Sequence, residues 1–83
     1  MLTDRNIYEW LDAQIPAHVD REGALRASRD EGWEEAVLDL ANEAYADGEI
    51  SRSVLSRLCK EYPDGDLNQI FSHYLANLVA QSG

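Results

Sequence analysis

Apolar residues return along this chain at intervals of three and four, and the stripes they form predict helices. Ile7, Trp10, Leu11 and Ile15 make the first stripe, with Thr3 or Asp4 placed to cap the free amides of the opening turn and Pro16 placed to stop the helix. Ala17 to Arg29 reads as a short helix with Asp20 as its cap and Leu25 as its anchor, and Gly23 weakens it by about 1 kcal/mol relative to alanine. From Asp30 to Ala46 the pattern is clearest. At about 100° per residue, Trp33, Ala36, Val37, Leu40 and Ala44 share one arc, and Glu31, Glu35, Asp39 and Glu43 take the opposite one. Gly48 suits the left-handed turn that closes such a helix. Ser51 or Ser53 then restarts the chain, and Ile50, Val54, Leu55, Leu58 and Tyr62 form a stripe that ends at Pro63. After the turn Tyr62-Pro63-Asp64-Gly65, Asp66 caps a last helix whose apolar side chains are Leu67, Ile70, Phe71, Tyr74, Leu75 and Leu78.

These elements predict an all-α fold, a compact bundle of four to five short helices in a single domain over residues 1–83, with Trp10, Trp33, Leu40, Leu58, Phe71 and Leu75 in its core. Eighty-three residues leave room for one core. Apolar residues at 45% argue against disorder, and two Pro and five Gly favour helices over many short strands. Cys59 stands alone, so the fold has no intrachain disulfide and rests on apolar burial. The opening Met1-Leu2-Thr3-Asp4-Arg5 lacks the pattern of a secretion signal, and no apolar run approaches the roughly 18 residues of a membrane span. The expected location is the cytoplasm, or the host cytoplasm for a phage-encoded chain.

Charge changes the picture. Sixteen Asp and Glu against seven Lys and Arg give a net charge of −9, too acidic for docking on phosphates or anionic lipid, so direct nucleic-acid and membrane binding are not expected. Eight acids (Asp30, Glu31, Glu34, Glu35, Asp39, Glu43, Asp47 and Glu49) fall between residues 30 and 49 with no basic residue among them. Glu31, Glu35, Asp39, Glu43 and Asp47 follow one another four residues apart. At that spacing like charges destabilise an isolated helix by about 0.2 to 0.5 kcal/mol per pair. Asp30 to Glu43 on one helix would carry a negative charge every ~3.3 Å, close to the ~3.4 Å between phosphates of a nucleic-acid strand. The block has two readings. It is a solvated face, partly neutralised by Arg21, Arg26 and Arg29 folding back from the preceding segment, or it is a docking face for a basic partner.

Other chemistry is thinner. Cys59, His18 and His73 are the groups from which a nucleophile and base would be drawn, but Cys59 borders the Leu55, Leu58 and Tyr62 stripe, His73 falls on a polar face and His18 follows Pro16 in a loop. No catalytic residue, metal ligand or cofactor is assigned. Asp47-Gly48-Glu49 has the look of a calcium loop, but with Gly48 in the glycine position the last ligand would be Val54. Ala46-Asp47-Gly48-Glu49-Ile50-Ser51 resembles the interhelical segment of the tellurite-resistance TerB-like domains, and that resemblance implies an acidic helical module tied to metal-linked stress. It covers six residues, and Arg52, Ser53, Val54 and Leu55 stand where such domains usually place a further acid.

The functional expectation is a small non-enzymatic binding protein. Glu31, Glu35, Asp39, Glu43, Asp47 and Glu49 would occupy the basic surface of a protein that handles DNA or RNA, and in type the chain resembles phage inhibitors such as anti-CRISPR and anti-restriction proteins. The alternatives are a TerB-like or other regulatory module that holds a divalent metal through the acidic segment, and a structural helical protein that dimerises through Tyr8, Tyr45 or Tyr74. A monomer or weak homodimer is expected.

Overall fold

A computed structural model describes residues 2–82. They form five α-helices and no strand: α1 (Asp4–Gln14), α2 (Glu22–Asp30), α3 (Trp33–Ala46), α4 (Arg52–Glu61) and α5 (Gly65–Ser82). The fold is all-α, as the apolar periodicity predicts. Among the described residues no helix is long and apolar enough to cross a membrane. The chain divides into two compact units, Met1–Ile50 with α1 to α3 and Ser51–Gly83 with α4 and α5.

In the first unit α3 is the shared surface on which both α1 and α2 pack. Ala36, Val37, Leu40, Ala41 and Ala44 are all fully buried on it. Three of these five are alanines, which let neighbouring helices approach closely. Against them lie Ile7, Tyr8 and Leu11 of α1 and Ala24 and Ala27 of α2, also buried. Thr3 starts α1 by a reciprocal cap, its Oγ1 accepting the Asn6 amide at 3.1 Å while Asn6 Oδ1 accepts the Thr3 amide at 3.5 Å.

The connection from α1 to α2 has no regular structure, and Pro16 removes one backbone donor from it. Ile15 and Val19 anchor it by burial. Arg21 does the rest. Its Nε donates to Asp12 Oδ1 at 2.7 Å, Nη1 to the carbonyls of Pro16 and Val19 at 2.7 Å each, and Nη2 to the carbonyls of Ile15 at 2.9 Å and Asp12 at 3.2 Å. These five bonds match the five N–H donors of a guanidinium. The positive charge also sits at the carbonyl end of α1, whose last turn holds no basic residue of its own. Asp20 Oδ1 accepts the Glu22 amide at 2.8 Å, so it helps to open α2.

Helix boundaries differ from the sequence reading at three places: α2 starts at Glu22 rather than Ala17, α5 starts at Gly65, and the junction of α2 and α3 is broken. The helix expected from Asp30 to Ala46 is two segments, because Gly32 adopts φ of 118° between Asp30, the last residue of α2, and Trp33, the first of α3. The amides of Glu31 and Gly32 both reach the Ala27 carbonyl, each at 2.8 Å, and close α2 there. The other end of α3 is as expected. Gly48, at φ of 71°, lets its own amide bond the Tyr45 carbonyl at 3.1 Å and the Glu49 amide bond the Ala44 carbonyl at 2.8 Å.

In the second unit Ser51 is the cap of α4, its Oγ accepting the Val54 amide at 3.1 Å. The α4 to α5 turn repeats the device of the first unit. Asn68 Nδ2 reaches back from α5 to the carbonyls of Cys59 at 3.3 Å and Tyr62 at 2.9 Å, ahead of Pro63. The rings of Tyr62 and Phe71 pack with centroids 6.2 Å apart. Asp66 lies in the first turn of α5, which opens at Gly65, rather than capping it from outside.

Of the expected core, Leu40, Leu58 and Phe71 are fully buried, whereas Trp10, Trp33 and Leu75 are half-buried. Trp33 is held at the first position of α3 by the Tyr8 ring at 5.2 Å, with the Arg5 guanidinium 5.4 Å from its centroid. Tyr8 is buried, which corrects its expected place on a dimer contact.

Two stability effects follow from this arrangement. Arg21→Lys should lower the unfolding free energy by about 2 to 4 kcal/mol, since an ammonium cannot reproduce the fork and leaves carbonyls unsatisfied, and chemical denaturation followed by tryptophan fluorescence will measure it. Burial pushes the Tyr8 phenol above 10.0, the Asp12 carboxylate adds to the rise and the Arg21 guanidinium opposes it. Below pH 10.0 the resulting stabilisation is complete, and it is lost as pH climbs toward the raised folded value, because the unfolded chain gives up this proton first. Tyr8→Phe should therefore make the alkaline fall in melting temperature shallower.

Candidate functional site

The acidic residues singled out by the sequence lie in the first unit on four different backbone settings. Glu35, Asp39 and Glu43 are on α3, Asp47 follows its last turn, Glu49 is in the closing loop and Glu31 follows the end of α2. Glu31 was expected to start the α3 row, and the Gly32 turn removes it from that row. On α3 the row advances by about 40° per four residues. It starts opposite the buried arc at Glu35 and drifts toward one border of that arc, and Glu34 lies on the other side of the helix. From Glu34 to Glu43 four acids span nine rises, about 13.5 Å, so successive charges average about 4.5 Å apart along the axis, wider than the phosphates of a nucleic-acid strand.

The drift brings Asp39 to the α2 side. There Asp39, Asp30, Glu31 and Arg26 surround a hollow of about 220 Å³ floored by Gly23 and Ala27. A Cβ on Gly23 would lie 3.9 Å from Asp39 Oδ2, so the absent side chain is part of what keeps the hollow open. Three carboxylates and one guanidinium thus line it around two small residues. Among the described residues, no group of three or more His, Cys, Asp or Glu side chains is placed to hold a metal ion.

Two of the arginines expected to fold back over the block, Arg21 and Arg26, make their ion pairs with acids outside it. Arg21 pairs with Asp12, and Arg26 pairs with Glu22 at 3.4 Å while lining the hollow. Arg5 pairs with Glu9 and Arg57 with Glu61, so four of the seven Lys and Arg side chains pair with acids outside residues 30–49. Among the described residues no ion pair ties Glu31, Glu35, Asp39, Glu43 or Asp47 to a basic side chain of the chain itself. Glu49 is the exception in the expected set. Its Oε1 lies 3.5 Å from His18 Nε2, an ion pair whenever the imidazole is protonated. Sequence reasoning missed both the hollow and this pair, because each depends on segments brought together only by packing.

Cys59, His18 and His73 have separate neighbours. Cys59 Sγ is 3.6 Å from Ser72 Oγ, His18 faces Glu49, and His73 Nε2 is 3.4 Å from Asn77 Nδ2. No family model, curated protein or solved structure matches the chain.

Repulsion along α3 has a measurable consequence. Replacing Glu35, Asp39 and Glu43 together with glutamine should leave helical content unchanged and raise stability by up to about 1 kcal/mol at low ionic strength. The gain should vanish in high salt, where screening relieves the parent chain equally, as thermal melts at two ionic strengths will show.

Proposed function

We propose that this protein is a non-enzymatic inhibitor or binding module that inserts the acidic face of α2 and α3 into the basic surface of a protein that handles DNA or RNA. The observation that supports the reading is the pairing pattern. A chain of net charge −9 spends the cations of Arg5, Arg21, Arg26 and Arg57 on acids outside the block, and among the described residues Glu31, Glu35, Asp39, Glu43 and Asp47 have no ion pair to a basic side chain.

The mechanism is competition. A row of carboxylates along one helix attracts a groove lined with lysine and arginine, and its field speeds encounter in a salt-dependent way. The hollow beside Asp39 then receives one cationic head group, with Asp30 and Glu31 on its far wall. A charged pair formed in such a recess is screened less than one on an open face, so this contact limits dissociation while the open carboxylates set the association rate.

Affinity capture from a host lysate, run with the parent chain and with the Glu35, Asp39 and Glu43 to glutamine triple variant, tests the reading. The parent should retain a basic protein that is released by high salt and displaced by added double-stranded DNA or by RNA. The triple variant should retain little of it, and Asp39→Asn alone should mainly quicken its release. Equal retention by parent and triple variant would overturn the proposal.

A further inference from the structure

The chain holds two Asp-Gly pairs, Asp47-Gly48 at the end of α3 and Asp64-Gly65 at the start of α5. In such a pair the aspartate side chain lies within reach of the next backbone nitrogen, and glycine has no Cβ to shield it. Both residues of each pair are exposed, and φ is positive at both glycines, 71° at Gly48 and 82° at Gly65. A Cβ built on either glycine would meet nothing within 4 Å. Exposure and backbone hand therefore do not distinguish the pairs.

Hydrogen bonding does. The Gly48 amide donates to the Tyr45 carbonyl at 3.1 Å and the Asp47 amide to the Glu43 carbonyl at 3.1 Å, with Asp47 held in the αR conformation at ψ of −3°. Closing a ring between Asp47 and the Gly48 nitrogen would break the Gly48 bond and undo the end of α3. Gly65 is placed differently. It is the first residue of α5, where a helix leaves its amides without an intrahelical acceptor. Among the described residues no acceptor takes the Gly65 amide, and no donor holds the Asp64 carboxylate.

We propose that Asp64-Gly65 is a site of spontaneous backbone isomerisation in the folded chain, and that folding protects Asp47-Gly48 from the same reaction. The Gly65 nitrogen attacks Cγ of the protonated Asp64 carboxyl group. An N–Cγ bond forms, the carboxyl hydroxyl and the amide proton leave as water, and a five-membered cyclic imide results. Water then opens the ring. Addition at the Cγ carbonyl restores aspartate, whereas addition at the backbone carbonyl leaves the chain running through Cγ as isoaspartate. The water lost is regained, so mass and oxidation state are unchanged and no co-reactant is consumed. Isoaspartate adds one carbon to the main chain between Tyr62 and Asn68, the interval that Asn68 Nδ2 bridges to the carbonyls of Tyr62 at 2.9 Å and Cys59 at 3.3 Å. The isomerised chain should therefore melt below the parent in a thermal scan. The step lies wholly in the second unit and is independent of the acidic face.

Incubating the whole chain at about pH 6, in native buffer and in concentrated urea, tests the assignment, since acid raises the share of protonated carboxyl. Cleavage after Arg29, Arg52 and Lys60 puts the pairs on separate peptides, 30–52 and 61–83. Electron-based fragmentation and methyl transfer by an isoaspartate-specific methyltransferase then read each peptide. In native buffer isoaspartate should form at residue 64 at least about five- to ten-fold faster than at residue 47, the protection given by one hydrogen bond that must open first. In urea the two rates should converge. Asp64→Glu, whose ring would have six members, should lose the product at residue 64 while circular dichroism shows unchanged helix. Equal native rates at the two pairs, or a faster rate at Asp47, would overturn the proposal. So would a native Asp64 without isoaspartate over a time in which urea produces it at both pairs.

Discussion

Arg21 joins the end of one helix to the start of the next, and the geometry of the first unit depends on it. Helices α1 and α2 each rest on α3, and the segment that links them has an irregular backbone interrupted by Pro16. Such a segment leaves carbonyls that neither helix can satisfy. One guanidinium meets four of them and the Asp12 carboxylate, with its side chain 19% exposed. Part of its desolvation penalty is thereby offset by bonds to full and partial negative charge. Asn68 plays the corresponding part in the second unit with a neutral amide and two carbonyls. In both places a helix ends just ahead of a proline, and a side chain from beyond the turn completes its last hydrogen bonds.

Using Arg21 in this way bears on the surface. Arg21, one of the arginines that precede the acidic block, is turned toward α1, and the ion pair of Arg26 is made within its own helix. Among the described residues no ion pair thus relieves the repulsion between the carboxylates of α3. Exposed pairs at this spacing interact only weakly one by one, so the fold tolerates them, and their effect is felt as a summed field outside the molecule. The second unit contributes nothing to that field in net terms. The net charge of the chain is therefore carried by its first unit alone.

Much of the helical fold was legible along the chain. The stripes of α1, α4 and α5, the Thr3 and Ser51 caps and the left-handed Gly48 all act through residues within a few positions of one another, and local spacing carries that information. Gly32 was legible too, as a glycine just beyond the arginine-bearing last turn of α2, but the strong amphipathic run after it masked the break. Core membership was harder to read. Hydrophobicity placed Trp33 inside, whereas its position at the first residue of α3 leaves one side of the ring against Tyr8 and another open.

What the sequence determined by itself was helix identity, the acidic block and the neutrality of residues 51–83, since periodicity and charge count depend only on which residues follow one another. The direction of each arginine, the pairing of Glu49 with His18 and the hollow that gathers Asp30, Glu31 and Asp39 beside Gly23 were decided by tertiary structure. Each of these joins groups on different segments, and the separation between such groups is set by how helices pack, which no local spacing encodes.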